Sequence, residues 1–198
     1  MKTIVLASRN KDKIEELRKT LVALNIELKS SYDFPDLDEV IEDKDTLEGN
    51  ALKKARYTYQ QTCLPSLADD TGLEVEALSG RPGVYSARYA GEHVTYQQNV
   101  DKLLDELKEI PTEKRGARFR TVAAFVTKAG ECTFEGMCKG KITETEQGTG
   151  GFGYDPVFKP KGYDKTFAQL SGEEKNKISH RAKAIQKFIS WLIKENND

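Results

Sequence analysis

The sequence predicts an α/β protein built on a long, mixed central β-sheet flanked by helices. Three observations carry that expectation. The chain opens with a short β-type run, a polar loop and an amphipathic helix, the unit from which helix-covered sheets are built. Strand-like runs follow one another between Ala117 and Glu144, which argues against a purely parallel, doubly wound sheet. The last helix carries its own start signal, Ser171 with Glu174 three residues later, a capping box.

Taken in order, Thr3 to Ala7 is the opening strand. Ser8 to Lys13 is a polar loop with Asn10 as helix cap, and Ile14, Leu17, Leu21 and Leu24 then recur at helical spacing. A second helix starts near Asp45 or Thr46, both good caps, and runs to about Gln61, ahead of Pro65. Ser66 to Ala68 reads as a strand ending at Asp69-Asp70-Thr71-Gly72, and Leu73 to Leu78 as another. Gly80 to Gly91, with Pro82, is a shaped loop. Tyr96 to Ile110 is an amphipathic helix through Val100, Leu103, Leu104 and Leu107, stopped by Pro111. Ala117 to Thr127 alternates as a long strand, and Cys132 to Met137 and Lys139 to Glu144 read as two more. Gly148 to Pro156 is a second glycine loop, and the final helix continues through Ile178, Ala182, Ile185, Phe188, Ile189 and Leu192.

The 198 residues suit one domain, spanning 1–198, or two lobes sharing a sheet. A net charge of -1 gives no general basic footprint for nucleic acid. The apolar opening run is too short for a signal peptide or a membrane span. Cys63, Cys132 and Cys138 have no metal-type spacing, and an odd, sparse set points to reduced thiols in the cytoplasm.

Several segments have the residue types for chemistry. Ser8-Arg9-Asn10-Lys11-Asp12-Lys13 joins a strand to a helix, where free N–H groups, the helix dipole and lysines suit a phosphate chain; a cap among solvated lysines is the alternative. Asp69 and Asp70 are adjacent carboxylates, which repel unless a cation sits nearby, so one could hold a metal while the other activates water; an ordinary Asp turn is the alternative. For both roles the strand should end at this pair, as Gly72 suggests. Thr149 to Pro156 places Phe152 and Tyr154 among glycines that let a ligand approach backbone. On a helical wheel through the last helix, Arg181 falls inside the apolar stripe, Lys175 at its edge, and His180 well off it on an exposed face. A buried arginine needs an anionic or carbonyl partner, either a structural ion pair or a ligand. Glu48, Asn50 and Lys54, near the start of the second helix, read by themselves as a solvated face.

Ser-Arg-Asn-Lys-Asp-Lys, Thr-Leu-Glu-Gly-Asn-Ala-Leu-Lys-Lys-Ala, Ala-Asp-Asp-Thr-Gly-Leu, Gly-Arg-Pro-Gly-Val-Tyr-Ser-Ala-Arg-Tyr, Gly-Thr-Gly-Gly-Phe-Gly-Tyr-Asp-Pro and Ile-Ser-His-Arg occur in that order between residue 3 and about residue 192. In this the chain resembles the inosine triphosphate pyrophosphatase family. The resemblance implies a mixed sheet with two lobes, an active-site cleft between them, and a homodimer. It implies Mg2+-dependent hydrolysis of deaminated purine nucleoside triphosphates (ITP, dITP, XTP) to the monophosphate and pyrophosphate. By the same resemblance Ser8, Arg9, Asn10, Lys11, Asp12, Lys13 and Lys54 bind the triphosphate. Asp70 is base and metal ligand, and Thr71 contacts substrate. Phe152, Gly153, Tyr154 and Asp155 hold the base, with Phe152 stacking, and Lys175, His180 and Arg181 complete the site. Glu42 is the candidate second metal ligand, with Glu39 and Glu48 as competitors. The family often has Glu-Asn where this chain has Gly49-Asn50.

A fixed donor such as Arg181 would favour the six-position carbonyl of ITP and XTP over the amino group of ATP. Three rivals remain at this stage: a sister enzyme acting on modified pyrimidine triphosphates, a nucleotide-binding module without turnover, and a Ser-His-Asp hydrolase. The first lacks a reason for the Ser-His-Arg and Gly-Gly-Phe-Gly-Tyr-Asp segments. The second has no use for Asp70, and the third lacks a Gly-x-Ser-x-Gly elbow.

Overall fold

A computed structural model describes residues 2–22 and 25–195. The strands are β1 (Lys2–Leu6), β2 (Ile26–Ser30), β3 (Ser66–Val75), β4 (Pro82–Gly83), β5 (Gly116–Thr127), β6 (Gly130–Ile142) and β7 (Phe158–Pro160). The helices are α1 (Lys11–Val22), α2 (Leu47–Thr62), α3 (Tyr96–Leu107), α4 (Gly172–Ile178) and α5 (His180–Glu195). The sheet runs β2-β1-β3-β5-β6-β7, with β4 paired to β3. It is mixed as expected: β1 is parallel to β2 and β3, whereas β4 is antiparallel to β3 and β7 to β6.

The chain divides into two compact units. The first comprises Met1–Asp70, Val122–Phe134 and Ile185–Asp198, and the second Thr71–Thr121 and Glu135–Ala184. In the first, Ile14, Leu17 and Leu21 of α1 are buried, as their spacing requires. Leu24, the next position of that pattern, lies outside the described residues. Phe125 and Phe134 pack against Phe188 and Trp191, with ring centroids 5.0 to 5.8 Å apart. In the second unit, Val100, Leu103 and Leu107 of α3 join Leu73, Val75, Phe119, Ile142, Phe158 and Phe167 in one core. Each fully buried aromatic there contributes roughly 1.5–3 kcal/mol relative to exposure.

Local signals set the helix starts. The Thr46 side chain accepts from Gly49 N, Thr95 and Gln98 form a capping box, and Asn10 Oδ1 accepts from Lys13 N at 3.2 Å. The box at Ser171 and Glu174 forms as well.

Four expectations change. β3 does not stop at Asp69 but runs unbroken through Asp69, Asp70, Thr71 and Gly72, so no turn separates two strands. β6 is likewise one strand. Its glycines mark close approach of other backbone, not breaks: a Cβ on Gly136 would lie 2.0 Å from His180 O, and one on Gly140 would lie 2.3 Å from Lys159 O. The last helix is two helices. Ser179 leaves the helical region (φ -64°, ψ 153°), its N–H donates to Lys175 O, and its hydroxyl accepts from Ala182 N to start α5. His180 is buried and not exposed, although it lies off the apolar stripe of its own helix: Phe119 stacks on its ring, and β6 approaches it closely at Gly136. Finally, the strands β2 and β7 went unpredicted.

Candidate functional site

Two groups of candidate residues assemble, one in each unit. In the first unit, the loop from β1 to α1 is built by its own side chains. Ser8 Oγ accepts from Asn10 N at 3.1 Å, and Asn10 caps α1. The helix start therefore keeps its N–H groups directed at this loop. Arg9 is turned to a structural task, donating to Leu37 O at 2.8 Å, while Tyr32 donates to Arg9 O. Lys11 is exposed. Asp12 is the second residue of α1, but its side chain lies outside the described residues.

Beside that loop, β3 and α2 bring charges together. Asp69 and Asp70 are only 5% and 7% exposed, which no simple Asp turn would require. Lys13 Nζ lies 3.0 Å from Asp69 Oδ2. Lys54 Nζ donates to Glu42 and to Asp69 O (2.8 Å), and lies 3.9 Å from Asp70 Oδ1. Lys54 is therefore not part of a solvated helix face. Asn50, fully buried, accepts from Lys44 N at 2.9 Å and donates to Asp70 Oδ2 at 3.1 Å, which fixes that carboxylate. Gly49 suits the same turn, since a Cβ there would press on Lys44 Cβ at 2.9 Å. Glu39 and Glu48 are exposed, leaving Glu42 as the competitor that reaches the cluster.

The electrostatics follow from this geometry. Burial raises the Asp70 pKa above the usual carboxylate range; Lys54 opposes the rise, Glu42 adds to it, and Asn50 and Lys13 oppose it. Burial works against the Lys54 charge, but Glu42, Asp70 and Asp69 outweigh it and hold the ammonium protonated. Three carboxylates thus share two lysines, and the net effect at Asp70 is still a raised pKa. Such a patch gains from a further cation. Among the described residues no cage of three or more His, Cys, Asp or Glu side chains exists. Asp70 with Glu42 fits a hard divalent cation that takes one or two carboxylates and completes its shell with phosphate and water. It does not fit a four-ligand zinc centre.

The second group lies in the other unit. Gly151 takes φ 72°, and a Cβ there would fall 2.1 Å from Asp155 Oδ2. That close approach lets buried Asp155 accept from Phe152 N at 2.9 Å and pair with Lys175 Nζ at 2.5 Å. The half-buried Phe152 ring has Lys175 Nζ at 5.0 Å and Arg181 Cζ at 5.6 Å from its centroid, within cation–π reach. Arg181 is buried, as its place in the apolar stripe requires, and His180 stacks on Phe119 with centroids 4.5 Å apart. Gly153 is half-buried beside them. Thr71 shares a 2.7 Å hydroxyl contact with Thr121.

Tyr154 takes another part. Its ring belongs to the hydrophobic core and its hydroxyl donates to Ser86 O at 2.8 Å, so it anchors the glycine loop from beneath. Sequence reasoning missed Tyr96. Its exposed ring lies 6.1 Å from Phe152, tilted by 40°. Tyr96 stands at helical spacing from Val100, Leu103 and Leu107, so the sequence alone reads it as one more member of the apolar stripe of α3 and gives no sign of its exposure.

Cys63, Cys132 and Cys138 are free thiols. Among the described residues, no helix is long and apolar enough to cross a membrane.

The Ham1 family matches residues 4–191. A dITP/XTP pyrophosphatase of Flavobacterium johnsoniae is 48% identical over 189 residues, covering 96% of this chain and 97% of that protein. One from Halalkalibacterium halodurans is 44% identical over 193 residues, covering 97% and 100%. Among solved structures, the Ham1 protein of Staphylococcus aureus superposes with a TM-score of 0.89 at 39% identity, covering 98% of this chain and 100% of that one. A HAM1 protein from Coxiella burnetii gives 0.92 at 36%, with the same coverage.

Proposed function

The chain belongs to the Ham1 family, and from that premise we propose that it hydrolyses deaminated purine nucleoside triphosphates (dITP, XTP and ITP) to the monophosphate and pyrophosphate. The observation that carries this reading is the buried Asp70 carboxylate, oriented by Asn50 and sharing Lys54 with Glu42. A group held in this way and biased toward its proton suits the acceptance of a proton from an attacking water.

Asp70 and Glu42 would hold Mg2+. When bound, the ion would neutralise triphosphate charge as a Lewis acid and favour ionisation of water. Lys13, Lys54 and the N-terminus of α1, with Ser8, Asn10, Lys11 and Asp12, take the phosphates. Arg9 contributes by holding the loop. Thr71 contacts substrate. Phe152 provides the stacking face for the base, and Asp155 fixes the loop through Phe152 N and orients Lys175. Arg181 and His180 form the buried polar end, where a fixed donor matches the six-position carbonyl and leaves a mismatch with the amino group of ATP. The reading includes a homodimer in the cytoplasm, and the free thiols are those of a reducing compartment.

The test is pyrophosphate release from ITP, dITP, XTP, GTP and ATP with Mg2+, for wild type and Asp70→Asn. Turnover of the deaminated purines, lost in the variant, is the expected result. Wild-type protein that binds ITP without releasing pyrophosphate overturns the reading.

A further inference from the structure

The second unit contains a groove of about 1030 Å³ to which none of the proposed catalytic or substrate-binding residues contributes. It is open to solvent and lies on the sheet face opposite the buried side chains of β6 and β7. Burial alternates there: Cys138, Ile142, Phe158 and Pro160 are buried, whereas Lys139 and Lys141 are exposed and Lys159 is half-buried. The pairing register sets Lys141 directly opposite Lys159. One step further on, Lys161 N donates to Lys139 O, which brings those two residues opposite each other as well. All four lysines line the groove, with the exposed ring of Tyr163.

This arrangement is costly in itself, because like charges directly opposite on neighbouring strands destabilise a sheet. The acids of the groove relieve it only at Lys159, which the fully exposed Asp164 reaches at 3.5 Å. Glu74 is engaged by Arg118 and Arg120, and Glu76, which also lines the groove, is not among the ion-pair partners of the four lysines in the described residues. Among the described residues Lys139, Lys141 and Lys161 form no ion pair. The cations gather in a chain whose net charge is -1. Protection of the sheet edge accounts for lysines on β7, the terminal strand, but not for the matching row on β6, which is paired on both sides.

We propose that this lysine quartet is a second anion site, which takes an oligophosphate: two or more linked phosphates spanning the Lys139/Lys161 and Lys141/Lys159 pairs. Lysine ammonium groups act as mobile point charges suited to phosphate oxygens. The groove is of the size that holds a small ligand. Tyr163 gives a nucleotide base a surface to lie on, so the phosphates could come from a free inorganic chain or from a nucleotide.

The test uses the full chain, isotopically labelled and free of divalent metal, with inorganic tripolyphosphate as the probe and backbone amide shifts as the readout. Saturable shifts are expected at residues 139–141, 159 and 161–163 (Pro160 has no amide proton), whatever happens at the proposed catalytic residues. In Lys139→Gln/Lys141→Gln they weaken by about tenfold, the scale of losing two exposed ion contacts. Turnover of ITP, if present in wild type, stays unchanged in this variant. Without anion the variant melts no lower than wild type, because it sheds repulsion, and tripolyphosphate raises its melting point less. Nucleotides binding more tightly than tripolyphosphate, with the difference erased by Tyr163→Ala, identify the nucleotide as source. Equal binding identifies the phosphate chain. Absence of shifts at these residues overturns the proposal. So does equal binding of sulfate, or much tighter binding of a single-stranded oligonucleotide. Because the shifts are read at the groove, this site can fail while the hydrolase reading stands, and the reverse.

Discussion

Replacing Lys54 by methionine keeps the unbranched stem of the side chain as far as Cε and removes the charge that Glu42, Asp69 and Asp70 share. At 3.9 Å and an effective dielectric of about 20, the attraction between Lys54 and Asp70 alone is about 4 kcal/mol. Desolvation of the lysine offsets part of this. Both side chains are largely buried, at 12% and 10% exposure, so solvent screening is limited. Removing one side of such a pair costs about 3–5 kcal/mol, because the remaining carboxylates stay buried without their counter-charge. For a chain of this length that is a fall of about 6–20 °C in melting temperature. The loss should be largest near neutral pH and shrink on acidification, as Asp70 takes up its proton. Excess Mg2+ should recover more stability in the variant than in wild type, since a cation can replace the missing ammonium. The assay is urea and thermal unfolding across pH, with and without Mg2+. A variant within about 1 kcal/mol of wild type at neutral pH, with a parallel pH dependence, refutes the account of a charge-sharing cluster.

Two further predictions concern the same chemistry. Burial raises the Asp70 pKa, so in protein free of divalent metal its carboxyl should titrate above the ordinary carboxylate value of about 4. The folded state then holds the proton more tightly than the unfolded chain, so the stability contribution is complete below the unfolded pKa and is lost as pH rises through the folded one. A metal-free NMR titration that places the Asp70 carboxyl at or below the ordinary value contradicts this. Tyr96→Ala should raise KM for ITP by about tenfold with little change in kcat, the scale of one lost stacking partner, whereas Tyr96→Phe should behave as wild type. Steady-state kinetics of both variants decide it, and an unchanged KM in Tyr96→Ala removes Tyr96 from the base site.

The parts of the fold legible in the sequence were those governed by local chemistry. Thr46, Ser171 and Asn10 announce helix starts because capping is a contact between residues two or three apart. The mixed sheet was legible because consecutive strand-like runs between Ala117 and Glu144 leave no room for the crossovers of a purely parallel sheet. The errors arose where a distant partner changes the meaning of a residue. Cys132 to Met137 and Lys139 to Glu144 read as two strands, yet β6 runs through Cys138 unbroken, and its Gly136 and Gly140 sit where α5 and β7 approach. Gly72 looks like the end of a strand, yet β3 continues through it to Val75. β2 had a readable alternation, Ile26-Glu27-Leu28-Lys29, but β7 is only three residues long and owes its existence to pairing with Gly140 to Ile142.

The same division governs the candidate site. The motifs singled out candidate residues, but not how a side chain is held when its environment is made elsewhere in the chain. Lys54 looked like one more exposed lysine on a helix. Its burial depends on Glu42, before α2, and on β3, neither of which helical spacing can reveal. His180 was misplaced for a different reason. A helical wheel places it off the apolar stripe of α5, but cannot show that this flank is covered as well: Phe119 stacks on the imidazole, and a Cβ on Gly136 would lie 2.0 Å from His180 O and 2.4 Å from Ala184 N. Two neighbouring polar residues, His180 and Arg181, are thus both buried at the first turn of α5, although consecutive side chains leave a helix about 100° apart. The arrangement that a purine carbonyl would need, two donors held together away from water, therefore depends in this reading on β5 and β6 covering the start of α5.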